Sequence, residues 1–170
     1  PFVHKMDFYS IVSTHEGHDG KQVTSQVLNI RRFDMPTEDV IEHLQLEPGT
    51  PVVYIKRLFL FDDKPLAVGR SWLSLARFPG LDETGLGEKG LTATLRSRYN
   101  TIIRRFNDAI EAVRPAPDER NLLDVSYDCP LLMVRGLSFD QHNVPVEYST
   151  TYWLGDKVRF TVSMNTQEVE

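Results

Sequence analysis

The chain carries one extended pattern twice, and the two copies begin at Pro51 and Pro130, 79 positions apart. In each copy, a run of β-branched and aromatic residues reaches a polar turn, and a second extended run follows it. The turns are Asp-Asp-Lys-Pro in the first copy and Gln-His-Asn-Val in the second. This pattern is typical of a β-hairpin. The sequence therefore predicts two hairpins of the same design.

The match extends upstream of both hairpins at the same offset. Pro36 corresponds to Pro115 and Leu44 to Leu123, so that each hairpin is predicted to follow a short helix, and each helix a strand. Two β-α-β-β units are too few for a solenoid. We expect them to merge into one antiparallel sheet with helices on one side, which is an α+β fold.

The segments outside the hairpins divide into regular and irregular parts. A further helix is expected from Gly90 to Tyr99, because its leucines recur at helical spacing and Asn100 can end it. Strands are predicted at 24–33, 103–113 and 158–164, and the connection 73–89 is predicted to have little regular structure. The expected division is a linker or N-terminal arm at 1–22, one domain at 23–166 and a tail at 167–170.

Composition excludes several classes of protein. With 41% apolar and 25% charged residues, the chain is expected to be one globular domain, and it has no apolar run long enough to span a membrane and no signal-peptide pattern. A net charge of −5 argues against DNA binding by this chain alone. Cys129 is the only cysteine, which excludes an internal disulfide and fits the cytoplasm.

No pattern in the sequence indicates catalysis. A phosphate-cradling glycine-rich loop, a nucleophile elbow and a metal-ligand series are all missing, so neither an enzyme nor a cofactor or metal is expected. Asp62 and Asp63 are explained by turn chemistry at the first hairpin tip. The stretch from His15 to Gly20 contains metal-ligand residue types, but its spacing favours a solvated loop.

Polar residues on the hairpin strands are more informative. Alternation places Arg57 on the same face as Phe59. The return strand of the second hairpin places four residues on one face: Glu147, Ser149, Thr151 and Trp153. Together these side chains suit a pocket for a small polar or anionic ligand. A solvated sheet face with cross-strand charge pairs explains the same pattern, and both interpretations stay open.

Several ordered motifs resemble one known family. They are Leu-Glu-Pro-Gly-Thr-Pro-Val-Val at 46–53, Arg57, Asp-Asp-Lys-Pro at 62–65, Val-Pro-Val-Glu-Tyr-Ser at 144–149 and Tyr-Trp-Leu-Gly-Asp-Lys-Val-Arg-Phe at 152–160. Over about residues 24–164, the chain is similar to the UTRA effector-binding domain of HutC-type members of the GntR family of bacterial transcription regulators.

The resemblance implies a chorismate-lyase-like fold in an effector-binding and dimerisation domain, most often a homodimer. A small metabolite would modulate DNA binding by a preceding winged helix-turn-helix domain, which this chain lacks. DNA would therefore be a partner only through that absent domain.

The family's effector contacts can be carried over to this sequence. Arg57 falls on the first contacting arginine, Phe59 replaces a second arginine found in amino-sugar-phosphate sensors, and Gly69 replaces a glutamate. The full set predicted to bind the effector is Arg57, Phe59, Gly69, Ser71, Thr92, Glu147, Ser149 and Trp153. The replacements imply a less charged or bulkier ligand than an amino-sugar phosphate.

Two other functions fit the same residues. A chorismate-lyase-like enzyme would use Arg57 and Glu147 around its substrate. A ligand-free dimerisation module would instead have a closed, dry sheet face.

Overall fold

The two repeats fold into one six-stranded antiparallel sheet of order β2-β3-β4-β7-β6-β5. The computed structural model describes residues 3–5, 23–160 and 163–165, with side chains for 23–160. The strands are β1 (Val3–Lys5), β2 (Val23–Phe33), β3 (Val52–Phe61), β4 (Lys64–Ser74), β5 (Ile103–Val113), β6 (Leu131–Asp140), β7 (Pro145–Leu154) and β8 (Ser163–Asn165). The helices are α1 (Glu38–Leu44), α2 (Leu81–Thr84), α3 (Gly90–Tyr99) and α4 (Pro117–Leu123).

An internal two-fold arrangement relates the units β2-α1-β3-β4 and β5-α4-β6-β7. The two hairpins meet at the centre of the sheet, where Arg70 of β4 pairs with Thr150 of β7. Each hairpin has a register shift at the same place, beside Phe59 in the first unit and beside Ser138 in the second. The α+β fold built from two β-α-β-β units is therefore confirmed.

The helices of the repeats pack on one face of the sheet. Lys56 Nζ of β3 donates to Asp118 of α4 at 2.6 Å, and Tyr148 Oη of β7 donates to Asp39 of α1 at 2.9 Å. We call this the helical face. Away from the register shifts, even-numbered residues of β3, β4 and β7 point toward it, since side chains alternate along a strand.

The opposite face carries the helices of the connection between the repeats. Val53 and Ile55 of β3 are fully buried there against Leu81 of α2 and against Leu91 and Leu95 of α3. Helices thus cover both faces, and the prediction of helices on one side holds only for the helices of the repeats. The apolar face of the connecting segment explains the difference, because it has to be buried against the sheet.

Most predicted element ends are close to the observed ones. Asn100 ends α3 with a φ of 50°, as expected, and Asp62 and Asp63 take φ values of 52° and 60°, as a two-residue hairpin loop requires. The segment 73–89 is more regular than predicted, because β4 continues to Ser74 and α2 follows.

The predicted strand at 158–164 is partly wrong. Residues 158–160 have no strand structure, whereas β8 lies at Ser163–Asn165 and pairs with β1, inside the expected N-terminal arm. The rest of that arm, including the stretch from His15 to Gly20, and the tail at 167–170 lie outside the described residues. Strand pairing between distant termini leaves no pattern in a three-residue segment, so the sequence did not indicate it.

Candidate ligand-binding cavity

A cavity of about 290 Å³ lies on the face opposite the helical face, between the sheet and the start of α3. Six of the eight predicted site residues line it: Arg57, Phe59, Thr92, Glu147, Ser149 and Trp153. They meet there because β3 and β7 flank β4, and because odd-numbered residues of all three strands share this face. Their role in binding an effector stays a prediction.

The other two predicted residues, Gly69 and Ser71, lie on β4 beneath the lining. Ser71 is 1% exposed, and its Oγ donates to Glu147 Oε1 at 2.5 Å. Arg57 Nη2 contacts the same two atoms, at 3.2 Å from Ser71 Oγ and 3.5 Å from Glu147 Oε1. Ser71 therefore links the arginine of β3 to the glutamate of β7 across the central strand.

The Arg57–Glu147 pair is largely withdrawn from solvent, with side-chain exposures of 12% and 17%. Burial lowers the pKa of Arg57, and the negative charge of Glu147 opposes that shift. Arg57 Nε is buried without a hydrogen-bond partner among residues 23–160. Guanidinium has five N–H groups in a fixed fork, so Arg57 has more donors than its contacts with Ser71 and Glu147 use.

An aromatic wall closes one side of the cavity. The rings of Phe59 and Trp153 stack with centroids 5.9 Å apart and planes inclined by 22°, and the Arg57 guanidinium carbon lies 5.0 Å from the Phe59 centroid. A Cβ at Gly69 would lie 2.8 Å from Phe59 Cε2. Gly69 therefore leaves room for the Phe59 ring to lie across β4, where the ring stacks with Trp153.

Sequence reasoning missed a second carboxylate in the cavity. Asp108 of β5 pairs directly with Gly136 of β6, and its Oδ1 lies 1.7 Å from the point where a Gly136 Cβ would be. The carboxylate thus leans across β6. Burial, with a smaller effect from the charge of Glu147, raises the pKa of Asp108 to about 6. A glycine inside a strand signals such close approach, and it was the one clue in the sequence.

Further lining residues come from the cavity rim and from β6. Lys89, Gly90 and Leu91 line it beside Thr92, where α3 begins. Ser138 of β6 is 4% exposed, and its Oγ has no hydrogen-bond partner within the described part of the chain. The lining is partly open to solvent at the rim, and it carries charged groups, so it differs from a closed, dry sheet face.

A profile of the UTRA domain family matches residues 18–159. This chain belongs to the UTRA domain family. The HTH-type transcriptional repressor PhnF of Mycolicibacterium smegmatis is 29% identical to this UTRA domain over 135 residues, which are 79% of this chain and 55% of that protein. The HTH-type transcriptional regulator GmuR of Bacillus subtilis is 26% identical over 140 residues, which are 81% of this chain and 57% of that protein. The UTRA domain thus spans little more than half the length of these relatives.

Solved structures share the fold of this UTRA domain. The crystal structure of PhnF from Mycobacterium smegmatis superposes with a TM-score of 0.82 at 25% identity, over 91% of this chain and 68% of that chain. The C-terminal domain of Yurk from Bacillus subtilis gives a TM-score of 0.71 at 25% identity, over 80% of this chain and 93% of that chain. The similarity to effector domains of GntR-family transcription regulators is confirmed.

Within residues 3–5, 23–160 and 163–165, no helix is both long and apolar enough to cross a bilayer.

Proposed function

We propose that this UTRA domain is the effector-binding and dimerisation domain of a GntR/HutC-family transcription regulator, and that a small metabolite binds in the cavity. The observation that carries the proposal is the buried Arg57–Ser71–Glu147 group. It spans β3, β4 and β7, and its Arg57 and Glu147 line the cavity with donors and acceptors still unused. Buried polar groups without partners cost free energy, which a polar ligand recovers when it binds.

An anionic group of the metabolite fits two features of the cavity lining. Arg57 Nε lacks a partner in the described part of the chain, and Lys89 lies on the rim just before the first turn of α3. Backbone N–H groups at a helix start favour negative charge, as does a guanidinium. The stacked rings of Phe59 and Trp153 would contact the apolar part of the same ligand.

In the regulator, the signal would pass to a winged helix-turn-helix domain outside this chain. Trp153 lines the cavity, and the Phe160 ring packs edge-on against it with centroids 6.2 Å apart. Three residues later β8 begins, and it pairs with β1 of the N-terminal arm. A ligand that favours one arrangement of Trp153 would thereby bias the arm. A cytoplasmic homodimer that contacts DNA only through the other domain completes the proposal.

A thermal-shift screen tests the proposal directly. The panel holds sugar phosphates, carboxylates, phosphonates, fatty acids and chorismate. A bound ligand at about 100 times its Kd adds roughly 2.7 kcal/mol to the free energy of unfolding. Arg57→Ala is expected to abolish the shift, whereas Arg96→Ala, an exposed change on α3, leaves it intact.

Two results would contradict the proposal. If no compound raises the melting temperature, or if the shift survives Arg57→Ala, the cavity is not the effector site. Release of 4-hydroxybenzoate from chorismate would instead identify a chorismate-lyase-like enzyme.

A further inference from the structure

We propose that Asp108 and Glu147 form a subsite for a protonated amine of the metabolite. The inference rests on the proposed function, because it assigns chemistry to the same cavity. It predicts a ligand that carries an ammonium group near β5 and β7, in addition to any anionic group near Lys89.

The sheet register brings the two carboxylates toward each other. Asp108 of β5 lies opposite Gly136 of β6, which in turn lies opposite Ser149 of β7, two residues from Glu147. Because Gly136 has no side chain, the Asp108 carboxylate occupies the space above β6, with Oδ1 1.7 Å from where a Cβ would be. Two acidic groups from strands on either side of β6 therefore face one part of the cavity.

Hydrogen bonding leaves acceptors unused at this point. The contacts of Glu147 with Ser71 and Arg57 all go to Oε1, and no residue within 23–160 donates to its Oε2 or to Asp108. The side chain of Ser138, a residue that is 4% exposed, also has an Oγ without a partner there. An ammonium group has three N–H donors and no acceptor, so it matches a cluster of acceptors better than a hydroxyl does.

The charge balance points the same way. Arg57 on β3 pairs with Glu147 on β7, which leaves the ionised Asp108 uncompensated inside the cavity, while Lys89 lies exposed at the rim before α3. Burying an unpaired carboxylate is costly. The raised pKa of Asp108, about 6, agrees with this imbalance. A cationic group of a ligand would compensate the negative charge of Asp108.

Two probes of equal size test whether the cavity prefers an amine to a hydroxyl group. D-glucamine and D-sorbitol differ only in an amine that replaces one hydroxyl, and the remaining hydroxyls suit the Ser149 and Thr151 side chains in the lining. Calorimetric titration at a pH above the pKa of Asp108 is expected to show that D-glucamine binds at least about tenfold more tightly than D-sorbitol. The reason is that a charge-assisted hydrogen bond is stronger than a neutral one.

Asp108→Asn is expected to remove this preference, because a neutral amide forms no charge-assisted hydrogen bond with the ammonium group. The matched control is Glu111→Gln, which neutralises an exposed carboxylate on the same strand but outside the cavity lining. If Asp108→Asn fails to fold, the unmodified protein gives the same information. Its preference for D-glucamine should then decrease when the pH falls through about 6, as Asp108 takes up a proton.

Equal affinity for the two probes would overturn the amine subsite and would indicate recognition of hydroxyl groups. Absence of D-glucamine binding up to its solubility limit would overturn it as well. Neither result affects the effector-binding proposal, which depends on a metabolite hit that requires Arg57.

Discussion

The ring of Phe59 lies directly over Gly69, so that a Cβ at position 69 would meet Phe59 Cε2 at 2.8 Å and Thr151 Oγ1 at 3.4 Å. The two residues are one diagonal step apart in the sheet, because Gly69 pairs with Arg57 and Ala67 pairs with Phe59. The missing side chain thus allows the Phe59 ring to lie close to β4.

Gly69→Ala is expected to lower the free energy of unfolding by about 1–3 kcal/mol, because the added methyl group overpacks the space under Phe59. It should also weaken ligand binding, since the displaced ring moves into the cavity. Chemical denaturation and ligand titration measure the two effects. Gly87→Ala is the control, because its Cβ would make only an ordinary contact of 3.5 Å with Thr94.

Removing the Phe59 ring shows whether overpacking is the cause of the stability loss in Gly69→Ala. In a Phe59→Ala background the space above Gly69 is empty, so that adding the methyl group should cost much less stability. Equal costs in the two backgrounds would contradict the role assigned to the Phe59–Gly69 contact.

Gly136→Ala tests whether glycine makes room for the Asp108 carboxylate. The new Cβ would lie 1.7 Å from Asp108 Oδ1, so the carboxylate has to rotate away from its place over β6. We expect the preference for D-glucamine over D-sorbitol to be lost, with only a modest fall in melting temperature, because the end of a side chain moves more easily than backbone. In an Asp108→Ala background, Gly136→Ala should have no further effect on the preference. A full preference in the single variant would contradict the geometry.

The Arg57–Glu147 pair predicts a coupled effect on stability. Glu147→Gln leaves the Arg57 cation buried without its counter-charge, and the free energy of unfolding should fall by about 1–3 kcal/mol. The double variant Arg57→Met with Glu147→Gln should cost less than the sum of the single changes. Denaturant titration of all four proteins measures the coupling.

An exposed ion pair provides the comparison. Arg32 and Asp34 also interact, with Nε and Oδ1 2.7 Å apart, but their side chains are 54% and 73% exposed. Asp34→Asn is expected to produce no measurable change, since water screens exposed pairs. Additive effects of Arg57→Met and Glu147→Gln would show that the buried pair is not coupled either.

Much of the fold could be predicted from the sequence, because its signals are local. Alternating runs and turn residues marked the strands of both repeats, and the common offset of Pro51 and Pro130 showed that the units are alike. Strand alternation also placed Arg57 and Phe59 on one face, and Glu147, Ser149 and Trp153 on one face of the other hairpin. The structure brings both groups into the same cavity.

The features that escaped prediction depend on non-local pairing. Asp108 enters the cavity only because β5 pairs with β6 in one particular register, which places it opposite Gly136. Nothing within the sequence of β5 specifies that register. The same applies to β8, which pairs with a strand near the other end of the chain.

Asp108 also predicts how stability depends on pH. Its pKa in the folded domain is about 6, above the ordinary value of 3.8, so between these pH values the folded state holds a proton that the unfolded chain has already released. The free energy of unfolding contributed by this group is therefore fully present below about pH 4 and is lost as the pH rises through about 6. Because the carboxylate is only partly buried, the loss should be about 1 kcal/mol rather than the full value of the shift.

The difference between the native protein and Asp108→Asn isolates this contribution from that of other carboxylates. Asp140, for example, has a lowered pKa because His142 and Val144 donate backbone hydrogen bonds to it and Arg77 pairs with it, so its contribution has the opposite sign. We expect the native protein to lose stability relative to Asp108→Asn between about pH 4 and 7. Parallel stability curves for the two proteins would mean that Asp108 is solvated in the folded state, and the charge imbalance in the cavity would then be absent.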